Sequence, residues 1–127
     1  MRMPGKTLSA LFLASAFLFP AFAVAQVTSF KEIEAKVREY RGFLDLEGPN
    51  GARFWTRLDS SKRPHRLFVG DGFMNADEVA KENFIEIFSR FLAGHPEKNM
   101  LIDIYDAKTS KLIGEYGFGG FRLFPSR

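Results

Sequence analysis

The chain has 127 residues, with 18 Lys and Arg, 15 Asp and Glu, and no cysteine. The absence of cysteine excludes disulfides, thiol catalysis and thiolate metal sites. The formal net charge is +3, but Arg2 and Lys6 belong to the predicted leader described next; without them, 16 basic residues face 15 acidic ones. An excess of one positive charge does not make the broad basic surface of a nucleic-acid-binding protein, so we expect no nucleic-acid partner.

The first 25 residues have the pattern of an export signal. A basic start is followed by an apolar run over residues 8–19, and the segment ends in Ala-Val-Ala at 23–25. Small residues at these positions are typical of a signal-peptidase site. The apolar run is shorter than the roughly 20 residues that a membrane-spanning helix needs. We therefore expect cleavage after Ala25, a periplasmic or secreted protein without stable membrane insertion, and a mature start at Gln26. The alternative is an uncleaved anchor.

Residues 26–127 are predicted to form one domain with two helices. The first helix begins at the capping box Ser29/Glu32 and ends at Gly42. The second runs from an N-cap at Asn75 to Gly94 and carries apolar residues at helical spacing: Ala80, Phe84, Phe88, Phe91 and Leu92. Both helices present one apolar face, which predicts that they pack on a sheet.

Five extended segments are predicted strands: 43–47, 52–58, 65–69, 99–105 and 112–118. The last residues, from Gly119 onward, are an optional short edge strand. The resulting order is α-β-β-β-α-β-β, and its connections are short. This order predicts an α+β domain with an antiparallel sheet of about five strands and two helices packed on one face.

The hairpin made by 52–58 and 65–69 is locally cationic. Its six candidate binding residues, called the basic hairpin below, are Arg53, Trp55, Arg57, Arg63, His65 and Arg66. Regular alternation places Arg53, Trp55 and Arg57 on one strand face, where guanidinium groups and an indole make cation–π contacts. Such a face suits an anionic protein or envelope component. The alternative is that the arginines only keep a sheet edge soluble.

These features favour a small, exported, non-catalytic binding or accessory module of the cell envelope. The alternative is a small periplasmic hydrolase or metal-dependent enzyme that uses His65 or His95 with nearby carboxylates. The two histidines match no metal-binding spacing and no serine has a nucleophile-elbow motif, so neither a metal nor a cofactor is expected. A third hypothesis is a structural or regulatory subunit that presents an apolar end, 118–124, to a partner.

Overall fold

The computed structural model describes residues 29–125 of the chain. Its elements in chain order are α1 (Phe30–Leu46), β1 (Trp55–Asp59), β2 (His65–Val69), α2 (Asp71–Met74), α3 (Glu78–Ala93), β3 (Ile102–Asp106), β4 (Leu112–Gly117) and β5 (Gly120–Leu123). The strands form one sheet in the order β1-β2-β3-β4-β5. The α+β class and the five-stranded sheet are thus confirmed. The predicted leader and its cleavage after Ala25 lie outside the described residues.

One face of the sheet carries the helices and is called the inner face. Four side chains of β2 and β3 that point to it are fully buried: Leu67, Val69, Ile102 and Ile104. They form one hydrophobic cluster with five residues from the helices: Leu44, Phe73, Phe84, Ile85 and Phe88. The prediction that the helices pack on one face is confirmed. In the described part of the chain, no helix covers the opposite face.

Helix α1 is longer than the sequence predicts. Residues 43–47 are expected to be a strand after a helix end at Gly42, but the helix continues to Leu46. Tyr40 and Leu44, four residues apart, are both buried on the same side of the helix. Burial of a leucine contributes about 1.5 to 3 kcal/mol, which exceeds the cost of about 1 kcal/mol for a glycine inside a helix. Gly42 therefore does not end α1.

Helix α3 begins later than predicted and ends where predicted. Asn75 is the C-cap of the short helix α2, whereas Asp77 caps α3 by accepting a hydrogen bond from the Ala80 N–H at 2.8 Å. At the other end, Gly94 has a left-handed backbone with φ 66°. Glycine adopts this conformation without the strain that a Cβ would cause, which is why the helix stops there.

The sheet is mixed, whereas the sequence predicts an antiparallel one. Strands β2 and β3 are parallel, with His65 opposite Ile102 and Val69 opposite Asp106. Helix α3 lies between them in the chain and returns it to the same end of the sheet, which is the connection that parallel neighbours require. The other three pairings are antiparallel. The tail supplies the fifth strand, β5, in place of the strand expected at 43–47.

Candidate functional site on the outer face of the sheet

The sheet face opposite the helices, called the outer face, carries two rows of side chains. Cross-strand pairing places Asp59, Arg66, Asp103, Glu115 and Arg122 in one row from β1 to β5. The neighbouring row contains Arg57, Phe68, Tyr105 and Leu112. We call these the charged row and the aromatic row. An uncovered sheet face with charged and aromatic side chains is the candidate binding surface of this chain.

The aromatic row begins with a three-layer stack. The Arg57 guanidinium carbon lies 3.8 Å from the centroid of the Phe68 ring. On its other side, Phe68 is stacked on Tyr105, with centroids 5.2 Å apart and ring planes 23° apart. Only 9% of Phe68 is exposed, although it points away from the core. The stack thus covers an aromatic ring and fixes the position of a guanidinium on the open face.

Two ion pairs and a fifth residue, Asp103, which has no ion pair of its own among the described residues, make up the charged row. Arg122 and Glu115 approach to 2.8 Å, whereas Arg66 and Asp59 are 4.0 Å apart. Hydrogen bonding from the Ser61 hydroxyl is the main cause that lowers the pKa of Asp59.

Asp103 sits beside Glu115 in the same row. Burial, followed by the negative charge of Glu115, raises the pKa of Asp103, and Arg66 opposes this rise. Arg66 also forms the ion pair with Asp59 on its other side, so its charge is shared between Asp59 and Asp103.

The structure separates the tryptophan of the basic hairpin from its arginines. A bulge lies between Trp55 and Arg57, which pair with Val69 and Phe68 respectively. Because of this extra residue, positions 55 and 57 point to opposite faces instead of sharing one. Trp55 lies on the inner face, where its indole N–H donates to the Leu44 carbonyl at 2.8 Å. The expected indole–guanidinium face does not form, and Phe68 takes the place of Trp55 beneath Arg57.

The other four members of the basic hairpin lie in four different settings. Arg66 is on the outer face with Arg57, one row away. Arg53 lies before β1 in a left-handed turn with φ 59°. Arg63 lies in the β1–β2 connection, where its guanidinium donates to the Ser60 carbonyl at 2.7 Å. His65 is buried, with 4% exposure. The structure therefore brings Arg57 and Arg66 together and leaves the other four elsewhere.

Among residues 29–125, neither histidine forms an ion pair with a carboxylate. Nδ1 of His65 lies 2.8 Å from the Ser60 hydroxyl, and its Nε2 is buried without a hydrogen-bond partner in the described part of the chain. His95 Nδ1 accepts a hydrogen bond from the Glu97 backbone N–H at 3.0 Å. Within residues 29–125, no group of three or more His, Asp or Glu side chains is arranged to hold a metal ion.

His65 makes the stability of the protein sensitive to acid. Burial, and to a smaller extent the charge of Arg63, lowers the pKa of His65 from its ordinary value of 6.5. The unfolded chain therefore takes up this proton at a higher pH than the folded protein does. Stability is fully present above pH 6.5 and is lost as the pH falls through the lowered pKa. We expect chemical denaturation over a pH series to show a smaller acid loss for His65→Gln than for the native protein. An unchanged slope in His65→Gln would contradict the assignment.

The sequence does not predict that Phe68 and Tyr105 lie together on the outer face. The segment His65–Val69 is mostly apolar, so it indicates a strand buried on both faces. Only the parallel pairing of β2 with β3 places Phe68 opposite Tyr105. The sequence does contain a signal for this contact: a helix between two strands is typical of a βαβ unit, in which the two strands are parallel.

A groove lies at the edge of the sheet where β3 and β4 are joined. Its volume is about 740 Å³, and its walls include Phe73, Lys81, Asp106, Lys111, Leu112 and Phe124.

The three phenylalanines of the segment 118–124, proposed above as an apolar end for a partner, do not form one patch. Phe121 packs against the core, Phe124 lies 5.1 Å below the Arg122 guanidinium, and Phe118 is 99% exposed.

Comparison with protein-family models, with curated proteins and with solved structures finds no match for this chain. Between residues 29 and 125, none of the helices has both the length and the apolar composition needed to cross a bilayer. Function is therefore inferred from the residues and their geometry.

Proposed function

We propose that this chain is a small, non-catalytic binding module of the cell envelope, periplasmic or secreted, whose outer face holds an anionic group of a partner. The group is a carboxylate or a phosphate, and Arg57 is its main contact. Arg66, in the neighbouring charged row, is the second contact of the anionic group. The observation that carries the proposal is the stack in which Phe68 and Tyr105 support the Arg57 guanidinium on an uncovered face.

The stack suits anion binding because it uses the face of the guanidinium and not its edge. The N–H groups of a guanidinium lie in its plane, so stacking on a ring leaves them available for a carboxylate or phosphate. Within the described residues, the Arg57 guanidinium makes no hydrogen bond to another protein group. Because the side chain is already held in place, less rotamer entropy is lost on binding.

The neighbouring charges favour an anion at one edge of the outer face. Arg57 belongs to β1 and Arg66 to β2, and the ion pair between Arg66 and Asp59 is long at 4.0 Å. Asp59 on β1 is the carboxylate of this side and faces the charges of both Arg66 and Arg57, which leaves one positive charge in excess. The negative charges of Asp103 and Glu115 lie farther along the sheet, on β3 and β4. An incoming anion is thus directed to the β1–β2 side of the face.

A hydrolase is the second candidate, because Ser60 and His65 lie within hydrogen-bonding distance of each other. A nucleophilic serine usually has a histidine base that a third group orients. In the described part of the chain no such group contacts His65, so we favour binding. A fluorophosphonate probe distinguishes the two candidates: labelling of Ser60 supports the hydrolase, and the binding module remains unlabelled.

Site-specific photo-crosslinking tests the binding proposal. A benzoylphenylalanine at Leu112, in the aromatic row, should capture a partner from envelope extract, using the protein that starts at Gln26. This form contains every described helix and strand and the whole hydrophobic cluster. The same group at Val79, which is 77% exposed on α3, is the positional control and should capture nothing.

A charge-reversal pair completes the design. Arg57→Glu should abolish capture from position 112, whereas Arg90→Glu should not, because Arg90 lies on α3 and pairs with Glu86 at 3.5 Å. Phosphatase treatment of the extract distinguishes a phosphate from a carboxylate. Equal capture by both charge-reversal variants, or capture from position 79 alone, would refute the proposal.

A further inference from the structure

Three connections lie side by side at one end of the sheet. The β1–β2 connection spans 60–64, the α3–β3 connection 94–101, and the β4–β5 turn 118–119. The pairings His65–Ile102 and Ile102–Tyr116 place these connections at the same end. With adjacent strands about 4.8 Å apart, the outer two connections are roughly 14 Å from each other. We call this surface the connection end.

Phe118 is the outermost apolar side chain of the connection end. It lies at the tip of a two-residue turn, between Gly117 and the pair Gly119-Gly120, and is 99% exposed. Gly120 has φ 95°, which the tight turn requires. A phenylalanine on this tip has no described protein neighbour to shield it from water, although Phe121, three residues away, packs against the core.

The connection end is also basic. Its connections carry three exposed cations, Lys62, Arg63 and Lys98, against one exposed carboxylate, Glu97. The carboxylates of the charged row lie on the adjacent outer face, where Arg66 and Arg122 share the row with them. Exposed cations on the same end of the sheet as an exposed aromatic ring match an anionic lipid surface: the ring enters the headgroup region and the cations contact lipid phosphates.

We propose that the connection end docks reversibly on an anionic membrane surface, with Phe118 as the apolar anchor and Lys62, Arg63 and Lys98 as the headgroup contacts. This attachment is peripheral and uses a surface distinct from the outer face. Docking in this way leaves the Arg57 stack facing sideways, so a partner can bind there while the protein is on the membrane.

Vesicle flotation tests the proposal with the protein that starts at Gln26. We expect binding to phosphatidylcholine vesicles that contain phosphatidylglycerol and little binding to phosphatidylcholine alone. Phe118→Ala should lower the partition coefficient by about tenfold, since it removes a ring that enters the lipid. Lys62→Ala, Arg63→Ala and Lys98→Ala should each lower it by about fivefold, and added salt should do the same.

Two control variants make the result specific to the connection end. Leu112→Ala removes a partly exposed leucine from the opposite end of the sheet, and Lys111→Ala removes one exposed cation there; both should float as the native protein does. In Phe118→Trp, the emission of the new indole should shift to the blue on addition of anionic vesicles. No flotation, equal flotation with neutral vesicles, or native partitioning of Phe118→Ala would overturn the proposal. Failure here would leave the outer-face proposal standing, because that proposal is tested at Arg57 and at position 112, neither of which belongs to the connection end.

Discussion

Replacing Phe88 with alanine is expected to lower the free energy of unfolding by about 3 to 5 kcal/mol, the usual cost of removing a buried aromatic ring. Phe88 is 2% exposed and lies at the centre of the helix–sheet interface. Its ring contacts Trp55, Phe84 and Phe91 at centroid distances of 5.4, 5.7 and 6.2 Å. Alanine leaves a cavity in place of the ring, and all three aromatic contacts are lost. Urea denaturation followed by circular dichroism measures the change.

Phe118→Ala is the matched control, because it makes the same chemical change at a residue that is 99% exposed. Its unfolding free energy should stay within about 0.5 kcal/mol of the native value. A loss below about 1 kcal/mol for Phe88→Ala would show that the inner face is not packed as described, since such a loss is typical of a surface position.

Replacing Ser89 with alanine is expected to lower the free energy of unfolding by about 2 to 4 kcal/mol, since it leaves two backbone groups without a hydrogen bond. Ser89 is fully buried on α3. Its hydroxyl donates to the Met100 carbonyl at 2.7 Å and accepts from the Met100 N–H at 2.8 Å. This double contact fixes the connection that leads from α3 into β3. Equilibrium denaturation measures the loss, and hydrogen exchange should show faster exchange of the Met100 amide.

Ser61→Ala is the control for Ser89→Ala. Ser61 is exposed, and its hydroxyl donates to the Asp59 carboxylate at 2.6 Å. A bond between exposed groups is replaced by water at small cost, so a change within about 0.5 kcal/mol is expected. If both serine variants lose the same stability, the Ser89 clamp does not hold the connection.

Elements with a complete local pattern could be predicted from the sequence. Helix α3 has a continuous apolar stripe and a glycine after its last residue, and both features act within a few residues of the chain. The capping box at the start of α1 is present as predicted: the Glu32 N–H donates to the Ser29 hydroxyl at 3.1 Å, and the Ser29 N–H donates to Glu32 at 3.3 Å. Strand β2 was predicted at residues 65–69, where it is found.

Features that depend on distant contacts could not be predicted. Helix α1 continues past Gly42 because Leu44 reaches a core built from other elements. The separation of Trp55 from Arg57 depends on a bulge, which arises from the pairing of β1 with β2 and has no mark in the local alternation. The candidate site was therefore predicted in part: Arg57 and Arg66 share the outer face, but the aromatic partners of Arg57 come from β2 and β3.

The most direct test of the outer-face site is an NMR titration of the arginine side chains. Nitrogen-15 spectra of the protein that starts at Gln26 report each guanidinium while inorganic phosphate, or separately a capped Asp-Glu-Asp peptide, is added. We predict saturable shifts for Arg57 and smaller ones for Arg66, with Arg90 unchanged because it is on α3 beside Glu86. Shifts of equal size at every arginine, or none at Arg57 with either probe, would contradict a binding site on the outer face.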